Sequence, residues 1–415
     1  MSLQIMQPEI THTNIFNLSK KLAIICAILL GFSIPVSTGL DSILLALLLL
    51  TALVGWNTQY SRIIAQNSVA TSALLLFGIL LIGCFYGTSQ INIGIKILTK
   101  YDDLILVALL LPIYNQPKMR LYGQYAFMAA MALTLALSYL IWLGAFQHTG
   151  LFSNRLPENP VVFKLHITHG ILMGFAAFMF AVYANDSKGK TRGLLLSASI
   201  LAVCNVLLMT QGRTGYLIVI TLAIYLMLEL LHWRSILLSI GLMIVASVII
   251  CVVSPKIQSR VTLAIHEEQS WQPMQGNNEA SSIGTRMDYY TNASKIIAKH
   301  PIIGVGTGGF ETAYAKEIQG TAVAPSNNPH NQFLLFWAQT GIFGLAAFLY
   351  LIWTVWQAAT NLPSTSEKLL ARGLLITITT GCIFNSLLLD HTEGLFFAWF
   401  CGLLFAGLPY HKQST

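Results

Sequence analysis

Pro329-His330-Asn331 stands where a long polar segment gives way to a hydrophobic run, and it puts a titratable ring at a membrane surface. A neutral imidazole, with an ordinary pKa near ~6.5, can take a proton from a hydroxyl at physiological pH. Pro329 turns the local chain away from helix, and the run after it must be helical, so His330 sits near a helix N-terminus. The helix dipole there favours the neutral ring, which suits a base; a histidine that only caps and hydrogen-bonds at the interface would occupy the same place. Arg213 lies in Thr210-Gln211-Gly212-Arg213-Thr214-Gly215, a glycine turn between two hydrophobic runs. Arginine at membrane depth costs about 2.5–3.5 kcal/mol on insertion scales and calls for a partner, unless it snorkels to the interface. Arg286 is near the start of an amphipathic stretch, where its charge opposes the helix dipole and is better placed for an external anion. Two guanidiniums and a helix N-terminus suit a diphosphate, which accepts bidentate bonds from arginine.

The elements that must position these groups are membrane helices. With 55% hydrophobic and 9% charged residues in 415, the chain has too little polar surface for one soluble domain. Apolar runs long enough to span a bilayer fall at about residues 21–39, 41–57, 68–86, 91–113, 121–146, 162–184, 193–210, 214–232, 235–254, 331–356, 369–389 and 394–409. The expected fold is an all-α, polytopic membrane protein of about twelve spans. Residues 1–254 hold spans one to nine, 255–330 a large outer loop, and 331–415 the last three. Lys and Arg stay on the cytoplasmic side. With the N-terminus inside, the inner connections carry Lys20, Lys21, Arg62, Lys118, Arg120, Lys188, Lys190, Arg192, Arg234, Lys368, Arg372 and Lys412. The short outer ones hold only Arg155, Lys164 and Arg213, of which Lys164 could snorkel at a helix end. Arg213, Arg286 and His330 then share the outer side. The net charge of +7 is in large part this topology signal, so nucleic acid is not an expected partner. The six cysteines all fall in apolar runs and read as small core residues. The polar first twenty residues and long following span read as an uncleaved first helix.

Within the outer loop, residues 269–282 are rich in Gln, Asn, Gly and Ser and read as mobile. Residues 285–300 read as an amphipathic helix, with Tyr289, Ala293, Ile296 and Ile297 on one face and Asp288, Asn292, Lys295 and Lys299 facing elsewhere. Gly304-Val305-Gly306-Thr307-Gly308-Gly309 lacks the flanking strand and Lys-Ser/Thr of a nucleotide loop and reads as a tight turn packed on the membrane domain. Asp390, His391 and Glu393 could orient an acceptor sugar or a catalytic group, or merely hydrate a connection. His166 and His169 share a helix face but lack further metal ligands nearby, which favours a structural role. Lys100 and Asp103 read as a local helical pair, and a metal-binding Asp102-Asp103 pair finds no supporting acidic cluster.

Three of these elements together resemble the bacterial O-antigen ligase family, within the wider superfamily of polyprenyl-linked ligases and polymerases. They are Gln211-Gly212-Arg213-Thr214-Gly215, Arg286 followed by His300-Pro301-Ile302-Ile303-Gly304-Val305-Gly306, and His330-Asn331 with Gly341 and Gly344 eleven and fourteen residues after the histidine. The resemblance implies transfer of an O-antigen glycan from undecaprenyl diphosphate to a sugar hydroxyl of lipid A-core, at the periplasmic face of a bacterial inner membrane. It also implies a GT-C-like fold, and both chain termini would be cytoplasmic. It implies His330 as the group activating the acceptor hydroxyl, Arg213 and Arg286 on the lipid diphosphate, inverting stereochemistry, and neither cofactor nor metal. Asn331, Arg155 and Asp390 are further candidates for substrate binding. An O-antigen polymerase or protein O-oligosaccharyltransferase would use the same donor. A secondary transporter would explain the spans but not the long loop or the placement of the histidine.

Overall fold

The computed structural model describes residues 9–146, 155–230 and 282–409, with isolated positions at 241, 258 and 262. The expected span at 235–254 and nearly all of the expected mobile stretch at 269–282 lie outside the described residues. Those described form helices and connections, without a strand. They are α1 (Glu9–Val36), α2 (Thr38–Gly55), α3 (Thr58–Gln66), α4 (Ser68–Tyr86), α5 (Ile91–Leu98), α6 (Asp103–Leu110), α7 (Pro117–Trp142), α8 (His166–Asp186), α9 (Gly189–Cys204), α10 (Arg213–Leu230), α11 (Ser282–Lys299), α12 (Phe310–Glu317), α13 (Gln332–Ala359), α14 (Thr365–Phe384) and α15 (His391–Phe405). Eight are long and apolar enough to cross a membrane: α1 from Phe16, α2, α4, α7, α8, α9 with its extension to Met209, α10 and α13. The protein is a multi-pass membrane protein.

The apolar run at 91–113 does not form one span. A 3-10 turn at Thr99–Tyr101 separates α5 from α6, in the stretch where Lys100, Asp102 and Asp103 interrupt the hydrophobic sequence. The run at 394–409 becomes α15, only 15 residues long and buried from Thr392 to Phe405. A helix that is apolar all round belongs inside a bundle, and α15 packs against α1, α4, α6, α7 and α14. Its Phe396, Trp399 and Phe400 rings meet Phe127 of α7, and Phe396 and Phe400 also meet Phe175 of α8. Trp399 donates its indole N–H to the Ala27 carbonyl at 2.8 Å, so the polar atom of the largest core ring is satisfied. The cysteines among the described residues are free; Cys26, Cys84, Cys382 and Cys401 are buried, as core residues should be.

Arg120, read from sequence as a topology charge, is 4% exposed and bonded to the buried Glu367 through Nε at 2.8 Å, tying α7 to α14. Removing one member of a buried pair strands the other charge, a loss of about 3–5 kcal/mol. Arg120→Ala should therefore lower the thermal unfolding midpoint of the detergent-solubilised protein far more than Lys118→Ala, its exposed neighbour.

Candidate functional site

Three segments distant in sequence meet at one end of the bundle. The first is the turn into α10. Residues Asn205–Met209 continue α9 as a π-turn, closed by the Thr210 N–H to the Asn205 carbonyl at 3.0 Å, before the chain reverses at Gln211-Gly212. A Cβ on Gly212 would meet the His166 carbonyl oxygen at 3.0 Å, and one on Gly215 would meet Gly170 Cα at 3.0 Å. The two glycines thus let α10 start hard against α8, and Arg213 is its first residue. Asn385 Nδ2 donates to Thr214 Oγ1 at 3.1 Å and anchors this start to the chain just after α14.

The second segment is α11, which packs on α12 and α13. Ala293, Ile296 and Ile297 are buried as the periodicity predicts, but Asp288 and Asn292 are buried as well. The helix has partners on more than one face, so a single-stripe pattern misplaces these two; Asn292 Nδ2 donates to the Asp288 carbonyl at 3.0 Å. Arg286, Tyr289 and Tyr290 come from the same turn. Tyr289 stacks on the His330 ring with centroids 5.6 Å apart and planes 22° apart. Tyr290 donates its hydroxyl to the Ile383 carbonyl at 3.0 Å and stands 3.4 Å from the His330 carbonyl oxygen.

The third segment carries His330, the one non-glycine residue with positive φ (51°) among those described. Such backbone conformations cost energy outside glycine and concentrate where surrounding contacts impose them. Here Asn328 imposes it: its Oδ1 accepts the His330 N–H at 2.6 Å and the Ser386 hydroxyl at 2.7 Å. Asn331 caps α13, accepting the Leu334 N–H at 3.0 Å while donating to the Ile383 carbonyl at 3.0 Å. His330 is thus held immediately before the helix N-terminus, and the short chain 383–386 binds both its segment and that of Arg213.

The charge of Arg286 bears on His330, and the charge of Arg213 bears on Arg286. Burial and then the Arg286 charge hold the His330 imidazole below its ordinary value, so the ring is neutral at physiological pH. Burial also depresses Arg286; the neighbouring Tyr290 opposes that effect and the Arg213 charge adds to it. Two like charges held together beside a neutral imidazole form a site that an anion would relieve.

The glycine segment at 304–309 packs against α4 and the kinked part of α13. The Val305 and Gly306 N–H groups donate to the Ala338 and Gln339 carbonyls at 2.9 and 2.7 Å, and the Thr307 N–H donates to Gly83 at 3.0 Å. These amides are used up in packing against α4 and α13 and cradle no phosphate. At Gly341 (φ 64°, ψ −157°) α13 kinks, which lets the Ile342 N–H donate to the Pro301 carbonyl at 3.0 Å; a Cβ at Gly341 would collide with the Ile302 carbonyl. The spacing from His330 to Gly341 is therefore the length of α13 needed to reach the loop that braces it.

A sequence model of the family described as O-antigen ligase matches residues 196–349. That stretch, rather more than a third of the chain, is similar to the O-antigen ligase family. An uncharacterized protein of Haemophilus influenzae is 26% identical over 210 residues, covering 48% of this chain and 52% of the relative. The alignment spans about half the length of that relative. The O-antigen ligase segment contains Arg213, Arg286, His330, Asn331, Gly341 and Gly344, whereas Arg155 and Asp390 lie outside it.

The structure does not bring those last two into the group. Arg155 is half-buried in the loop before α8 and makes no hydrogen bond or ion pair with a described residue. Asp390 is exposed at the other end of the 385–390 segment and lines a separate cavity. Lys164 does not snorkel outward: it donates to Thr392 Oγ1 at 3.1 Å and lies 3.9 Å from the buried carboxylate of Asp41, as does His391. His169 has the structural role expected of it, 2.9 Å from Asn205 Oδ1 in a chain that continues through Ser138 to the Pro160 carbonyl. Lys100 forms no ion pair with Asp103; its charge falls on Asp390. Asp103 instead lies near Asp102 and Asp41, though among the described residues no three such groups are set to hold a metal ion.

Sequence reasoning missed Tyr290, Asn328, Asn385 and Ser386, and took Tyr289 only as part of an apolar face. Asn328 alone left a signal, as an Asx residue two positions before a residue that needs left-handed backbone. Asn328→Ala should lower kcat about tenfold, the cost of one buried acceptor. Donor KM should be unchanged and Asn328→Asp should restore most of the rate; equal losses from both variants would remove the positioning role.

Proposed function

We propose that this protein is an O-antigen ligase of a bacterial inner membrane, acting at the periplasmic face. It transfers O-antigen polysaccharide from undecaprenyl diphosphate to a sugar hydroxyl of lipid A-core. The observation that carries this reading is the convergence of a neutral, tightly held His330 with Arg286 and Arg213 inside a segment matching the ligase family. In the reaction the acceptor oxygen attacks the anomeric carbon of the donor and the bond from that carbon to the diphosphate oxygen breaks. His330 takes the hydroxyl proton, and undecaprenyl diphosphate leaves with its charge met by the two guanidiniums. One displacement of this kind inverts the anomeric centre. Arginines aimed at the leaving group can supply the positive charge that a divalent cation supplies elsewhere, so the transfer is metal-independent.

Purified protein supplied with undecaprenyl-linked O-antigen and O-chain-free lipopolysaccharide should form full-length lipopolysaccharide in the presence of EDTA. Inhibition by EDTA that added magnesium reverses would defeat the metal-free route. In cells, deletion of the gene should leave free polymer on its carrier. A deletion strain that instead makes core capped with a single short unit would mark the protein as a polymerase.

A further inference from the structure

An open cavity of about 580 Å³ lies beside the 385–390 segment, with two unlike walls. One is polar: Thr99, Lys100, Asp102 and Asp103 from the α5–α6 break, with Asp390 and His391. The other is the side of α2 formed by Leu45, Ala46 and Leu49. Ala46 and Leu49 are exposed on an apolar helix long enough to cross a membrane, so the cavity opens sideways toward lipid. Asp103 is 7% exposed and lines the cavity, yet its carboxylate has no hydrogen bond or ion pair among the described residues. Next to it a Cβ on Gly394 would come 2.7 Å from Asp103 Oδ2, so only glycine leaves that oxygen room. A buried carboxylate without donors is costly, and its demand is met when a ligand brings hydroxyl or amide N–H groups to it.

The cavity is connected to the His330 site by a short chain of contacts. Leu389 lines it, and the preceding residue donates its N–H to Gln332 Oε1 at 3.0 Å. Gln332 follows Asn331 directly, and its Nε2 stands 3.4 Å from the hydroxyl of Tyr101, which precedes Asp102 in the polar wall. The segment that anchors His330 at Ser386 thus forms cavity wall three residues later.

We infer that this cavity seats the sugar headgroup of the acceptor glycolipid, with Asp103 and Asp102 accepting its hydroxyls, Lys100 donating, and the acyl chains leaving past Ala46. The inference rests on the transferase reading and adds where the second substrate binds. Ala46→Trp would plug the lipid-side mouth without touching a polar group, and Asp103→Asn keeps shape while removing the charge. Each should raise the KM for O-chain-free lipopolysaccharide at least tenfold with donor KM unchanged. In nanodiscs without donor, the same glycolipid should bind the wild type and bind Ala46→Trp at least tenfold more weakly. An unchanged acceptor KM in Ala46→Trp, or a loss in Asp103→Asn that added divalent cation reverses, would overturn the assignment. Wild type that binds the glycolipid in this way yet transfers nothing to it would uphold the cavity and overturn the transferase reading.

Discussion

Replacing His330 by alanine should reduce glycan transfer by about 10³-fold while leaving donor binding within a factor of two or three. General-base removal costs about 10²–10⁴ in rate, and His330 has the geometry for a large share of it. Its ring is stacked on Tyr289, its backbone is fixed by Asn328, and its neutral form is favoured by burial and by Arg286. The measurement is single-turnover transfer with saturating donor, beside equilibrium binding of the undecaprenyl-linked substrate. A His330→Ala protein that transfers at more than a tenth of the wild-type rate would remove the imidazole from the chemistry. The pH profile gives an independent check. The active form is the unprotonated ring and its pKa lies below the usual imidazole value, so the rate should fall only on the acid side of ~6.5 and stay flat through neutrality.

Arg286→Ala should cost about 10²–10³ in kcat/KM, the range for loss of one preorganised group that meets charge on a departing oxyanion. Unlike the histidine variant it should also weaken donor binding, because the guanidinium meets the diphosphate in the ground state. Arg213→Ala should behave in the same direction. The two arginines differ in one respect that separates direct action from disruption. Arg286 is the charge that depresses His330, so its removal should raise the pKa of the ring and move the acid limb of the remaining activity to higher pH. Arg286→Lys keeps a charge without the planar fork, and should hold the limb near its wild-type position while recovering only part of the rate. An Arg286→Ala profile with an unshifted acid limb would show that the two side chains do not meet in the working enzyme.

Much of the helical architecture is legible in the chain because the bilayer sets the length of an apolar run, and α4 falls at the residues predicted. The exceptions have physical causes. The run at 91–113 contains Lys100, Asp102 and Asp103, whose polarity favours a break and a cavity wall over a continuous helix. The run at 394–409 is as apolar as a span but too short in structure, and it is buried because every side of it finds a helix. Arg120, which the charge pattern counts as a topology residue, forms a buried pair with a glutamate 247 positions away, a partner that charge counting does not reveal.

The site divides in the same way. The amino-acid sequence by itself determined the membrane class, the amphipathic α11, the glycine turn before Arg213 and the three charged or titratable groups, because hydropathy, helical period and turn chemistry are local properties. Only the tertiary structure decided that Arg286 bears on His330, that Tyr289 and Asn328 fix the ring, that Gly341 exists to admit Pro301, and that Asp103 faces a cavity instead of Lys100. Those outcomes depend on contacts between segments tens to hundreds of residues apart, where packing of the whole bundle chooses which side chains meet.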